Sequence, residues 1–286
     1  MISVIICSRS GTITEDLKQN IASTIGCAYE LIVVKGGNSI FKAYNEGVSQ
    51  SSYPLLCFIH EDVLFLNQGW GNELASVLKK NKAGLVGLAG STYKSEIPSP
   101  WWLINPADYD VNFVKQVMHK VNPGLTDPAF EKEVLVIDGV FIGCQKELLL
   151  KIPFDENHYD GFHFYDLDIS LHFFYSGYKN FVTSQIHLFH TSSGNLNLSW
   201  IKNAIVFHQK WKAKLPIHLH INPIPHQRQI QMKLLKEWVI LLSKYRYSFK
   251  LLIWNYARYT LKRPAFRELF QLSKIAIYNL IYGPKN

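Results

Sequence analysis

Three short apolar runs near the start of the chain restrict its fold more than any other feature: ISVIIC at 2–7, ELIVV at 30–34 and LLCFI at 55–59. Each has the length of a buried strand and is short for a buried helix. Two segments with helical spacing separate them. Residues 15–25 follow Thr14, a ready N-cap, and residues 39–49 carry Phe41, Tyr44 and Val48 at helical intervals. Strand, helix, strand, helix, strand predicts a parallel α/β sheet with right-handed crossovers. The alternation continues with a helix over 70–80, strands over 84–89 and 134–143, and a short helix over 145–151. A helix over 164–175, strands over 178–184 and 186–190 and a helix from 199 complete it. Residues 90–130 break the pattern. They hold Pro98, Pro100, Trp101, Trp102, Pro106, Pro123 and Pro128, which suits an aromatic wall over a site, with a hairpin near 111–119.

Ligands of such sheets sit outside the carboxyl ends of the strands. The third apolar run ends there in His60-Glu61-Asp62. One imidazole and two carboxylates together offer donors to a divalent cation; the alternative is a plain polar turn. No GxGxxG and no GxxxxGK[ST] occurs, so neither a dinucleotide fold nor a P-loop is supported.

The charge is divided along the chain. Residues 1–199 carry 14 Lys+Arg against 20 Asp+Glu, and residues 200–286 carry 16 against 2, within a total of +8. Opposite charge in two parts predicts different partners. From 232 onward Leu, Trp and Tyr recur at helical spacing among Lys and Arg, over 232–247, 249–263 and 266–281. Such amphipathic helices suit an anionic membrane surface. The best candidate for a span, 238–256, is interrupted by Lys244, Arg246 and Lys250, and only Met1 precedes the first apolar run, so neither a membrane span nor a signal peptide is expected. The expected division is a domain over 1–215 and a basic helical extension over 216–286. Four scattered cysteines without a CxxC pair read as reduced thiols. A nucleic-acid role for the basic tail lacks a recognised module, so no nucleic-acid partner is expected.

The order of motifs resembles the GT-A glycosyltransferases of the family 2 type, and among them the group named after the streptomycin-biosynthesis protein StrF. The likeness spans about residues 2–212 and rests on ISVIICSR, ELIVVKGG, Ala43-Tyr44-Asn45-Glu46-Gly47, FIHEDV, DGVFIG with PFDE, FYDLDISL and HLFHTSSG. It implies a nucleotide-sugar donor, a divalent cation (Mn²⁺ or Mg²⁺) and an acceptor hydroxyl on a glycan or lipid-linked precursor. Together with the basic, aromatic tail this leads to the expectation of work at the inner face of the plasma membrane. Relatives place Asp-x-Asp after the central strand. Here His60 stands for the first Asp and Asp62 for the second, so Asp62 is the expected metal ligand, with His60 on the metal or on the donor. His190 matches a further His ligand of relatives. Relatives carry Glu-Asp at the head of a helix, the Asp acting as base. Here the pair is Tyr165-Asp166, which makes Asp166 the base and an inverting transfer the expectation, with Asp168 structural. For donor binding the resemblance points to Ser8 and Arg9 at the first strand's mouth, Lys35 where relatives have an acid, Asn45, Glu61, and Asp138-Gly139. The two departures from the family motifs keep a rival open: a non-catalytic scaffold whose tail makes a homodimer.

Overall fold

A computed structural model describes residues 1–103, 110–112, 114–116, 130–192, 194–219 and 226–283. The first five elements are β1 (Ile2–Ser8), α1 (Glu15–Thr24), β2 (Tyr29–Lys35), α2 (Ile40–Gln50) and β3 (Leu55–Ile59). Thr14 caps α1 by accepting a hydrogen bond from the Leu17 N–H. Strand parity divides the apolar side chains between two cores. Ile5, Leu56 and Phe58 face a core shared with α2, whereas Val4, Ile6, Cys57 and Ile59 face a core shared with α1. Both faces of the sheet are therefore covered, which is why its strands read as unbroken apolar runs.

Next come β4 (Val63–Phe65), α3 (Trp70–Leu78), β5 (Ala83–Gly87), β6 (Ala89–Ser91), β7 (Tyr93–Lys94), β8 (Asp110–Asn112) and β9 (Val114–Gln116). They are followed by β10 (Glu131–Val134), β11 (Val136–Ile137), β12 (Phe141–Gln145), α4 (Lys146–Lys151), α5 (Tyr165–Tyr175), β13 (Lys179–Thr183), β14 (Leu188–His190) and α6 (Leu198–Lys210). The main sheet has the order β10-β13-β5-β12-β3-β1-β2. β2, β1 and β3 are parallel, as are β5 and β13, while β12 and β10 run against their neighbours. This mostly parallel sheet is the GT-A architecture.

Three sequence expectations change. Residues 134–143 are not one strand: the chain leaves the main sheet, pairs Val136 with Ser91 through β11, turns at Asp138-Gly139 and re-enters as β12. Asp138 causes the turn, because its Oδ1 accepts the Val140 N–H at 2.9 Å. Residues 84–89 divide in the same way, between β5 and β6. The hairpin near 111–119 is not formed by β8 and β9, which pair with β6 and β14 instead; residues 113 and 117–119 lie outside the described ones.

The C-terminal part holds β15 (Ile217–His218), α7 (Gln227–Lys244), α8 (Phe249–Leu261) and α9 (Phe266–Tyr282). α7 is not a surface helix. Leu234, Leu235, Trp238, Val239 and Leu242 are buried in the same core as α2, α5 and α6. α8 and α9 differ: Leu252, Tyr259, Leu272 and Ala276 face inward, while Phe249, Trp254, Phe266, Phe270, Tyr278 and Ile281 are exposed. No helix among the described residues is long and apolar enough to cross a membrane.

Candidate active site

Strand pairing brings the site together from distant parts of the chain. Phe141 of β12 lies opposite Ile59 of β3, which sets Val140 beside His60, whose backbone N–H donates to the Val140 carbonyl. His190 of β14 lies opposite Val63 of β4, which sets it beside Asp62. The His190 Nε2 is 3.2 Å from Asp62 Oδ1 and 3.3 Å from His60 Nδ1. Candidate ligand atoms of these three residues lie within 4.8 Å of one another. Donors about 2.1 Å from one ion stand roughly 3.0–3.5 Å apart, so the trio fits a divalent cation. Two imidazoles and a carboxylate suit a borderline metal.

Tyr165 prepares His60 for this role. Its hydroxyl donates its proton to the Gly139 carbonyl at 3.0 Å, so the His60 Nε2–H, 2.8 Å away, donates to the Tyr165 oxygen. That fixes the tautomer and leaves the Nδ1 lone pair facing His190 and Asp62. Burial, then the neighbouring His190, lowers the His60 pKa, which keeps the ring neutral and able to ligate. Burial raises the Asp62 carboxyl, but hydrogen bonds from His190 and Ser192 outweigh it and hold it well below the usual carboxylate range.

Asp166 opens α5. Phe164, just before it, has φ of +70°, a costly left-handed conformation for a bulky residue, and it turns the helix start towards β12. Asp166 Oδ2 accepts the Gly139 N–H at 3.0 Å and Oδ1 its neighbour Leu167's at 2.9 Å. Each oxygen keeps a lone pair. Burial, then the nearby Asp138, pushes its pKa up to about 7. Asp138 is engaged to the same extent, with Oδ2 taking the Trp101 Nε1–H at 2.8 Å and Oδ1 the Val140 N–H at 2.9 Å. Gly139 has no room for a side chain: a Cβ there would stand 2.1 Å from the Tyr165 hydroxyl.

His60, His190, Asp138, Gly139 and Asp166 all line one cavity of about 510 Å³, within the roughly 300–1,000 Å³ typical of small-molecule sites. Trp101, Trp102, Phe162 and Trp200 are among its apolar walls. Asp62 adjoins it through His190. Lys35 lies opposite Ser8 at the carboxyl edge of β2 and β1. Arg9 and Lys35 are exposed there, outside the cavity wall. The Ser8 hydroxyl is spent within its own turn, donating to the Thr12 carbonyl at 2.5 Å. Glu61 is half-buried off the cavity and acts on Cys7, whose thiol burial and then Glu61 push up to about 11. The structure does not bring Asn45 to the cavity. Its amide donates to the Phe154 carbonyl and Glu156 carboxylate and accepts from the Phe154 N–H, which ties α2 to the loop before α5. Asp168 is a buried hub, accepting from Tyr159, Lys210 and Trp211. It forms a second cluster with Asp155 and His172, but the Lys210 ammonium occupies that cluster's charge, 2.6 Å from Asp155 and 2.9 Å from Asp168. Tyr165 is the site residue that reasoning from sequence missed, and the unpaired second nitrogen of His60 was its signal. Trp101 and Trp102 line the cavity, as expected of the aromatic insertion.

Among solved structures the fold is similar to GalNAc-T7 with UDP, GalNAc and Mn²⁺, at TM-score 0.51 and 8% identity over 98% of this chain. The chain spans 56% of that protein's length. TarS of S. aureus in complex with UDP gives 0.47 and 12% over 98% of this chain and 88% of TarS. The mannosyltransferase PcManGT from Pyrobaculum calidifontis, solved with GDP-Man and Mn²⁺, gives 0.46 and 10% over 99% and 76%. No curated protein matches the sequence. Residues 3–219, most of the chain, match the Glycosyltransferase like family. A sheet that gathers carboxylates and imidazoles at its carboxyl edge and a match over that whole stretch agree: the chain belongs to the Glycosyltransferase like family.

Proposed function

We propose that the protein transfers a sugar from a nucleotide-diphosphate donor to an acceptor hydroxyl with inversion, using a divalent cation held by His60, Asp62 and His190. The convergence of that trio with Asp166 around one cavity is the observation that carries the reading. The cation would neutralise the diphosphate leaving group. Asp166 takes the acceptor proton as the new glycosidic bond forms. Its raised pKa suits a base working near neutral pH, and its two oxygens retain lone pairs after accepting backbone N–H groups. One base on one face of the anomeric carbon gives a single displacement and hence inversion. Arg9 and Lys35 at the neighbouring strand ends supply positive charge for the nucleotide end.

In this reading the acceptor is a glycan precursor carried at a membrane. Exposed aromatic and aliphatic residues on α8 and α9, interleaved with the exposed Lys250, Arg263, Arg267 and Lys274, support docking on an anionic bilayer at the cytoplasmic face. The test is a thermal-shift screen of nucleotide sugars with and without Mn²⁺, followed by donor turnover. A ligand at about 100 times its dissociation constant stabilises by roughly 2.7 kcal/mol, and the Mn²⁺-dependent part of the shift is expected to vanish in Asp62→Ala and His190→Ala. Unchanged turnover in both Asp62→Ala and Asp166→Asn overturns the mechanism.

A further inference from the structure

Beside the main cavity lies a second hollow of about 250 Å³. The two share Pro100, Asn195, Leu196 and Trp200 as a common wall. Beyond that wall the lining is Pro98, Leu103, Trp238, Ile240 and Leu241, with Glu237 and Lys244 as the charged members. One side of the hollow is therefore α7, a helix beyond the stretch that matches the family.

We propose that this hollow is an acceptor subsite for a hydrocarbon aglycone. The acceptor's sugar hydroxyl sits in the main cavity against Asp166, and its apolar tail passes Trp200 and lies along α7. The proposal rests on the transferase reading, because that reading puts the acceptor in the cavity that the hollow adjoins. Four observations favour a hydrocarbon. The hollow adjoins the place where the acceptor must react and shares four lining residues with it. Its walls are apolar apart from one Asn, one acid and one cation, so a sugar there would leave most of its hydroxyls unpaired. An apolar cavity of about 150 Å³ takes benzene, so about 250 Å³ takes roughly ten carbons. Finally, the position is right. Lys244 at the end of α7 is followed closely by Arg246, whose guanidinium donates to the Ile281 and Gly283 carbonyls at the end of α9. The Lys244 end of the hollow thus lies near the end of the helix that exposes Ile277, Tyr278 and Ile281.

The experiment uses the full chain and bromooctyl glucoside, titrated below its micellar concentration. Bromine quenches nearby tryptophans, and Trp200 and Trp238 line the hollow. The expected result is saturable quenching, at least halved in Trp238→Phe and shifted at least tenfold to higher concentration in both Leu241→Gln and Leu103→Gln. Non-saturating quenching, or a curve that none of the three variants changes, overturns the proposal. A second arm compares methyl and octyl glycosides of a sugar panel as acceptors, with the nucleotide sugar that is turned over. Each buried methylene improves binding about three- to fourfold, so the octyl KM is expected to be at least tenfold lower. Donor turnover with equal methyl and octyl KM overturns the acceptor subsite alone. Absence of any donor turnover overturns the transferase reading and this proposal with it.

Discussion

Asp166→Asn separates catalysis from stability because the two move in opposite directions. Burial and the neighbouring Asp138 lift the Asp166 carboxyl to about 7. The charge of Asp166 in turn raises the buried Lys94, whose pKa burial nevertheless lowers to about 7. A base at that value is half ionised near neutrality, so kcat/KM is expected to fall tenfold per pH unit below 7 and to level off above it. Asn removes the base and with it about 10²–10⁴-fold of the rate at pH 8, and the acidic limb disappears. Stability follows the other sign. The folded value lies above the usual 3.8, so the native state binds the proton more tightly than the unfolded chain. That contribution is fully present below about 4 and lost as pH rises through 7, where ionisation costs at most about 4 kcal/mol. Asn escapes the charge but has one carbonyl for two backbone donors, which returns about 1 kcal/mol. The variant is therefore expected to melt higher than wild type at pH 8 and close to it at pH 4. Rate profiles of transfer and melting curves at both pH values measure this. A variant within tenfold of wild type at pH 8, or one that keeps a limb near 7, refutes the base assignment.

Two further outcomes follow from the packing. Gly139→Ala puts a methyl against the Tyr165 hydroxyl and is expected to lower stability by about 1–3 kcal/mol, read by urea titration, and to weaken Mn²⁺ binding because Tyr165 no longer holds the His60 ring. Lys210→Met leaves Asp155 and the buried Asp168 without their shared cation. A loss of about 3–5 kcal/mol is expected at neutral pH, shrinking towards acid pH as the carboxylates take up protons.

The βαβαβ core was legible because its period is physical. Buried strands need continuous apolar runs, and the helices between them need one apolar stripe. The break at Asp138-Gly139 was hidden because the residues on both sides are equally apolar; only the Asp138 side chain, closing its own turn on Val140, marks it. Asn45 was expected at the donor from the family resemblance. The loop carrying Phe154 and Glu156 reaches it first and uses both ends of the amide, a tertiary contact across more than a hundred residues that no local pattern records. α7 misled for a related reason. Its lysines and tryptophan match the two helices after it, but its apolar stripe finds the core through Trp238 and Leu235, whereas much of theirs stays exposed.

The two departures from the family motifs are one change seen at two places. An Asp ahead of Asp62 would bring a carboxylate with no N–H to dispose of, and a Glu ahead of Asp166 would suit it as a separate group. His60 brings a ring with two nitrogens, of which only one can face the metal trio. The other must give its proton to something, because a buried N–H without an acceptor costs about 1–3 kcal/mol. Tyr165 is that acceptor, and it can accept because its own proton goes to the Gly139 carbonyl. Gly139 in turn must lack a side chain for the Tyr165 hydroxyl to come so close, and its N–H goes to Asp166. His60, Tyr165, Gly139 and Asp166 are thereby joined in one hydrogen-bonded chain from the His60, Asp62 and His190 trio to the proposed base. That chain pairs both nitrogens of His60, one with His190 and one with Tyr165. Tyr165 thereby keeps both groups satisfied and leaves the His60 Nδ1 lone pair facing His190, the geometry that the proposed cation site needs.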